Sequence, residues 1–193
     1  MLRRTMSLLF VFSSIILSGG QFTLAQSISI FGNAVPKDPT GGGTKVTLGL
    51  KFWTSQPGTI SGIRFYRAEV SSHGYVAKLY SAGGVLLGSA TLAHESGSMP
   101  GWQVANFASP FPISANTTYV ASYYSVAGQG AGDPYELKTG VAQGPLTAPA
   151  SSAVGGNGAY SSKNVFPKSS YEASNYYVDV SFVPTEAALT LQL

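Results

Sequence analysis

The chain has 193 residues, of which only 10% are charged, with 11 Lys plus Arg against 8 Asp plus Glu, 23 glycines and no cysteine. So few charges beside plentiful Leu, Ile, Val, Phe and Tyr exclude a disordered acidic or basic tail. The missing cysteine excludes disulfides, zinc–thiolate and iron–sulfur sites and a thiol nucleophile. From the amino end, Arg3 and Arg4 precede the apolar run Leu8 to Leu17, and Thr23-Leu24-Ala25 places compact residues where a signal peptidase cuts. Residues 1–25 are therefore expected to be a secretory signal peptide. Ser18-Gly19-Gly20-Gln21 ends the run short of the about 20 apolar residues a membrane anchor needs. Two basic residues leave with the signal, so the formal charge falls from +3 to nine basic against eight acidic residues, or +1. Nucleic-acid binding, which rests on clustered Lys and Arg, loses its support.

The next stretch, 26–184, reads as one domain, and 185–193 as a short tail without an assigned role. Short runs of Val, Ile, Thr, Tyr and Phe alternate with Gly, Pro, Ser and Asn clusters, the punctuation of an all-β chain. A first strand is expected at 27–31. In the next, Val46, Leu48, Leu50 and Phe52 share one face, and Ile63 and Phe65 then alternate against Arg64 and Tyr66. Further strands are expected at 75–81, 86–92, 103–107, 118–125 and 176–183. In the last, Val178, Val180 and Phe182 face inward and Asp179 projects from an outer sheet surface. Tight turns such as Ser81-Ala82-Gly83-Gly84 suit antiparallel neighbours. Gly140 to Ser162, rich in Gly, Ala, Ser and Pro, reads as an extended loop. No window carries a helical stripe, and strands with one apolar face need a second sheet to cover them. The expected fold is a jelly-roll-like antiparallel β-sandwich, with an immunoglobulin-like sandwich as the alternative.

Several of these runs also carry a resemblance. Ser61 to Tyr66 (SGIRFY), Ala77 to Tyr80 (AKLY), Gly101-Trp102-Gln103, Thr117 to Tyr124 (TTYVASYY) and Asn175 to Phe182 (NYYVDVSF) come in the order and spacing of one module. The chain resembles the family called domain of unknown function 4082 over roughly residues 28–184. The resemblance implies a secreted β-sandwich of bacterial extracellular proteins and supplies no catalytic residue. Two positions depart from its pattern. Tyr124 stands where many relatives carry His, and Asn116 stands in a turn where Gly is common, a place Asn tolerates next best.

Few groups are equipped for chemistry. His73 and His94 are the only histidines, and no Gly-x-Ser-x-Gly elbow accompanies them. His73, in the loop Ser71-Ser72-His73-Gly74, is a minor binding candidate, because loops on a rigid sandwich commonly carry ligand contacts. Glycosidase chemistry needs two carboxylates at a set separation, yet nothing in the spacing brings any pair together. Asp133 and Glu136 read as solvated loop acids. No catalytic residue, metal ligand or cofactor is assigned, though room remains for one structural calcium ion built mainly from carbonyls. Asn116-Thr117-Thr118 is an N-glycosylation sequon that would matter only in a eukaryotic secretory route.

The aromatics are the richer set, with 11 Tyr, 10 Phe and 2 Trp. Phe52, Phe65 and Phe182 fall on core faces. Trp53, Tyr66 and Tyr177 are out of phase with them and are expected to face outward, where flat rings with polar tips can hold sugars. Trp102 reads as packing. The candidate ligand site is Trp53, Tyr66, His73 and Tyr124. The leading expectation is a non-catalytic extracellular or cell-surface binding module for a neutral glycan. A structural or adhesion module that packs against an extracellular protein is second. A small jelly-roll polysaccharide-active enzyme using His73, Tyr66 and Arg64 is third.

Overall fold

The computed structural model describes residues 26–39, 43–128 and 130–185. The expected signal peptide and the tail beyond Thr185 lie outside the described residues. Eleven strands run in chain order: β1 (Val46–Thr54), β2 (Gly58–Arg67), β3 (Tyr75–Ser81), β4 (Leu86–Leu92), β5 (Gly101–Ile113), β6 (Tyr119–Ser125), β7 (Val141–Gln143), β8 (Leu146–Ala148), β9 (Ala159–Ser161), β10 (Ser169–Ser170) and β11 (Val178–Pro184). They form two antiparallel sheets. The large sheet has the order β10-β9-β1-β6-β3-β4, with β8 and then β7 added beside the end of β1, and the small sheet has the order β11-β2-β5. The chain crosses between sheets from β1 to β2, back to β3, and again on either side of β5, which gives the all-β sandwich expected from the alternation.

Residues of one parity fill the space between the sheets. Leu48, Leu50 and Phe52 of β1 meet Ile60, Ile63 and Phe65 of β2 and Val178, Val180 and Phe182 of β11 in one buried cluster. Phe65 stacks on Tyr123 with ring centroids 4.3 Å apart, and Phe52 lies 6.1 Å from Tyr119. Truncating Phe65 to alanine in such a core would cost about 3–5 kcal/mol. Turn chemistry follows the residues supplied. Gly84 takes φ 87° in the β3–β4 hairpin, where its N–H donates to the Ser81 carbonyl, and Asn116 takes φ 55° between β5 and β6.

Two expected elements differ. The strand at 27–31 is reduced to a single antiparallel bridge, Ile28 with Phe182. Beyond it, the amides of Ile30 and Phe31 turn to the Asp179 carboxylate at 2.8 and 3.0 Å instead of extending the ladder. The expected loop 140–162 is organised into β7, β8, a 3-10 turn at Ser151–Val154 and β9. Strands of three residues hold too little alternation to be read locally. They exist because β8 and β9 pair with the free edge of β1.

Candidate functional site

The four residues expected to form a ligand surface do not share one. Trp53 and Tyr124 both project from the outer face of the large sheet, opposite the core residues Phe52 and Tyr123. Tyr124 pairs with Thr47, however, six residues before Trp53 on β1, a span of roughly 20 Å at strand rise. His73 is exposed in the β2–β3 loop, its Nδ1 3.1 Å from Ser72 Oγ. Tyr66 belongs to the other sheet and is buried, only 3% exposed. Among the described residues His73 makes no hydrogen bond to Tyr66 or Arg64: its ring meets Ser72, and the Arg64 guanidinium is turned to Asp179 and the Gly32 carbonyl.

The outer face of the small sheet explains the burial of Tyr66. Residues 28–38 lie across it as a strap. Asp179 accepts from the amides of Ile30, Phe31 and Val180 and from Arg64 Nη1 at 3.1 Å, Arg64 Nη2 donates to the Gly32 carbonyl, and Trp102 Nε1 donates to the Ala34 carbonyl. Arg64 also lies 4.6 Å over the Trp102 ring, whose edge meets Tyr66. Burial pushes the Asp179 carboxyl upward, opposed by the three amide donors and the guanidinium. The expectations that Asp179, Tyr66 and Tyr177 face outward therefore hold for the side of the sheet they occupy but fail for exposure: Asp179 is 0% exposed and Tyr177 3%. The strap that covers them is remote in sequence.

The acids of the β6–β7 connection are corrected too. Asp133 is buried and meets Glu136 at one hydroxyl: Tyr177 donates to Asp133 Oδ2 at 2.6 Å and to Glu136 Oε2 at 3.1 Å. Asp133 also accepts from the amides of Lys37 and Asp38, and Lys37 Nζ pairs with Glu136 at 3.0 Å. Both acids are spent on pinning the strap. Burial and then the Asp133 contact push the Tyr177 hydroxyl well above its ordinary value. Near this pin lie four of the five non-glycine residues at positive φ among the described residues, Tyr135 in one loop and Glu172, Ala173 and Tyr177 in the other. Their backbones are tied by Tyr135 N to Glu172 O and Leu137 N to Ala173 O. Among the described residues, no group of three or more His, Asp or Glu side chains is placed to hold a metal ion.

The outer face of the large sheet is covered only in part. Residues 163–168 cross it: Lys163 O accepts from Thr47 Oγ1, Asn164 Oδ1 accepts from Lys78 Nζ, and the Phe166 ring packs on Tyr80. Pro167 is buried over Gly49, where an added Cβ would sit 2.9 Å from its ring. Beyond Pro167 the face is open. A hollow of about 280 Å³ is lined by Lys51, Ala82, Thr118, Val120 and Val154, and a second of about 320 Å³ by Trp53, Asn116 and Thr118. Thr118 belongs to both, so the two adjoin, with buried Val120 as the apolar floor and half-buried Trp53 as a wall. Lys51 is held in place. The buried Asn157 side chain accepts from the Lys51 amide at 2.9 Å and donates to its carbonyl at 3.0 Å, while Lys51 Nζ donates to Val154 O at 2.7 Å. Partial burial pushes the Lys51 ammonium below the usual lysine value.

Of the sequence candidates, Trp53 lines one of these hollows. Lys51 and Val154 could not be found from sequence, because the segment carrying Val154 reaches β1 through the Asn157 contacts and the Lys51 Nζ bond, about a hundred residues away in the chain. Among the described residues no helix is long and apolar enough to cross a membrane. In comparison with known proteins, a family model described as a domain of unknown function (DUF4082) matches residues 33–178. No curated protein and no solved structure matched.

Proposed function

The chain belongs to the DUF4082 family, and from that premise we propose that it is a secreted, non-catalytic binding module that holds carbohydrate on the outer face of its large sheet. The observation that carries this reading is the pair of adjoining hollows beside Trp53. An indole wall, an apolar floor and a few polar groups at the rim match how a sugar presents C–H faces between hydroxyls. The rigid core beneath makes the surface preformed, so little ordering is needed on binding. Export in the signal-directed manner expected from residues 1–25 would place the module where polysaccharides are met. Calorimetry against a panel of plant, bacterial and animal polysaccharides tests it. Binding lost on Trp53→Ala and kept on Tyr124→Ala supports the reading, and an absence of binding across the panel sinks it.

A second reading, packing against an extracellular protein, draws on Val85 and Leu86, which are 65% and 51% exposed where edge strand β4 begins. Light scattering across concentration checks it: a monomer at all concentrations, with no partner retained, counts against adhesion.

A further inference from the structure

The polar groups around the two hollows are unbalanced in charge. Lys51 Nζ spends one proton on Val154 O, and no carboxylate among the described residues lies within ion-pair distance of it. Trp53 Nε1, Thr118 Oγ1 and the Asn116 amide make no side-chain hydrogen bond with the described residues, and every one of them can donate. None of the lining residues is an acid. Other hollows differ. Lys37, beside Phe31, is neutralised by Glu136, and the hollow of about 200 Å³ at Tyr171 presents Glu172.

We infer that the Trp53 hollow selects an acidic sugar, a uronic acid whose ring lies on the indole and whose carboxylate takes the unpaired protons of Lys51 Nζ. The inference rests on the carbohydrate reading of the same site. Lys51 and Trp53 are two residues apart on the same face of β1, so their Cα atoms are roughly 6–7 Å apart, a distance that suits one pyranose between ring and ammonium. The clamp from Asn157 and the bond to Val154 fix the lysine before ligand arrives, which lowers the entropic cost of a charge-assisted hydrogen bond. A half-buried ammonium with two free donors gains most from an anion, because part of its desolvation has already been met in the free protein. The near-neutral sum of charges argues for neutral partners, but a sum does not register one unpaired cation in a hollow.

The test is calorimetric titration of the chain, freed of residues 1–25 by export, with an oligogalacturonide and with a neutral oligogalactose of the same length. The uronide is expected to bind about tenfold more tightly, as one charge-assisted contact allows. Added salt should erode that advantage and leave neutral binding unchanged. Lys51→Met is expected to abolish the preference, bringing the uronide down to the affinity of the neutral sugar, and Lys51→Arg to keep it. Equal affinity for the two sugars, or a salt-independent preference, overturns the inference and leaves the carbohydrate reading standing. If neither sugar nor any other polysaccharide binds, both fall. Should Lys51→Met fail to fold, the salt titration of the unaltered protein decides alone.

Discussion

On the outer face of the small sheet, Arg64, Trp102 and Asp179 lie under a strap that meets their polar atoms, and Tyr66 packs beside them against Trp102 and Tyr177. On the outer face of the large sheet, the strap at Pro167 stops short, and Lys51, Trp53 and Thr118 are left facing two hollows. Both faces were built from the same material, out-of-phase aromatics interleaved with single charges. What separates them is coverage. Under a strap, an aromatic and an ion pair act as core, and their loss should be felt as instability; beside a hollow, the same residue types are free to meet a ligand, and their loss should be felt as affinity.

Substitution of Asp179 should break the covered face most severely. Asp179→Ala strands three amides and a partly buried guanidinium, and a loss of about 3–5 kcal/mol is expected in denaturant unfolding, together with faster proteolysis in residues 28–38. Gly49→Ala should follow, at about 1–3 kcal/mol, because its Cβ would press on Pro167 and on the Ala121 carbonyl. Unlike Asp179→Ala, it should also alter ligand binding by shifting the partial strap. Alkaline pH gives a third comparison. Tyr177, under the strap, and Tyr75, pushed up to about 12 by burial and by its bond to Glu95, keep their protons in the fold after the unfolded chain has lost them. Stability should therefore be intact below pH about 10 and fall as pH rises above it. Tyr75→Phe and Tyr177→Phe should each flatten the fall seen by fluorescence. Trp53→Ala should change stability least, by less than about 1 kcal/mol, while removing carbohydrate binding. A large destabilisation by Trp53→Ala would erase the distinction between the faces.

The alternation of Leu48, Leu50 and Phe52, and of Val178, Val180 and Phe182, revealed the sheets and the core because a strand reports its two faces locally. It also assigned Tyr66, Tyr177 and Asp179 correctly to the outer side of their sheet. Exposure on that side was illegible, since it depends on amides at 30 and 31 reaching a carboxylate at 179. The proposed binding site divides in the same way. Trp53 was legible from its phase, whereas Lys51 was one scattered lysine until Asn157 and Val154, about a hundred residues on, were folded against it. The strand reading at 27–31 failed for a physical reason as well: a side-chain carboxylate can replace a neighbouring strand as acceptor for two successive amides.

The Asn157 clamp has a second consequence, for solubility. Along the edge of β1, β9 covers Thr47 to Gly49, β8 covers Trp53 and Thr54, and between them the Asn157 amide takes the Lys51 N–H and C=O as a one-residue strand would. Three unrelated pieces thus seal a nine-residue edge that would otherwise offer a template to the same strand of another copy. On that side of the sheet the outermost strands are then β10, two residues long, and β7, three residues long. A chain without disulfides gains from this sealing a defence against edge-to-edge aggregation before any partner is met.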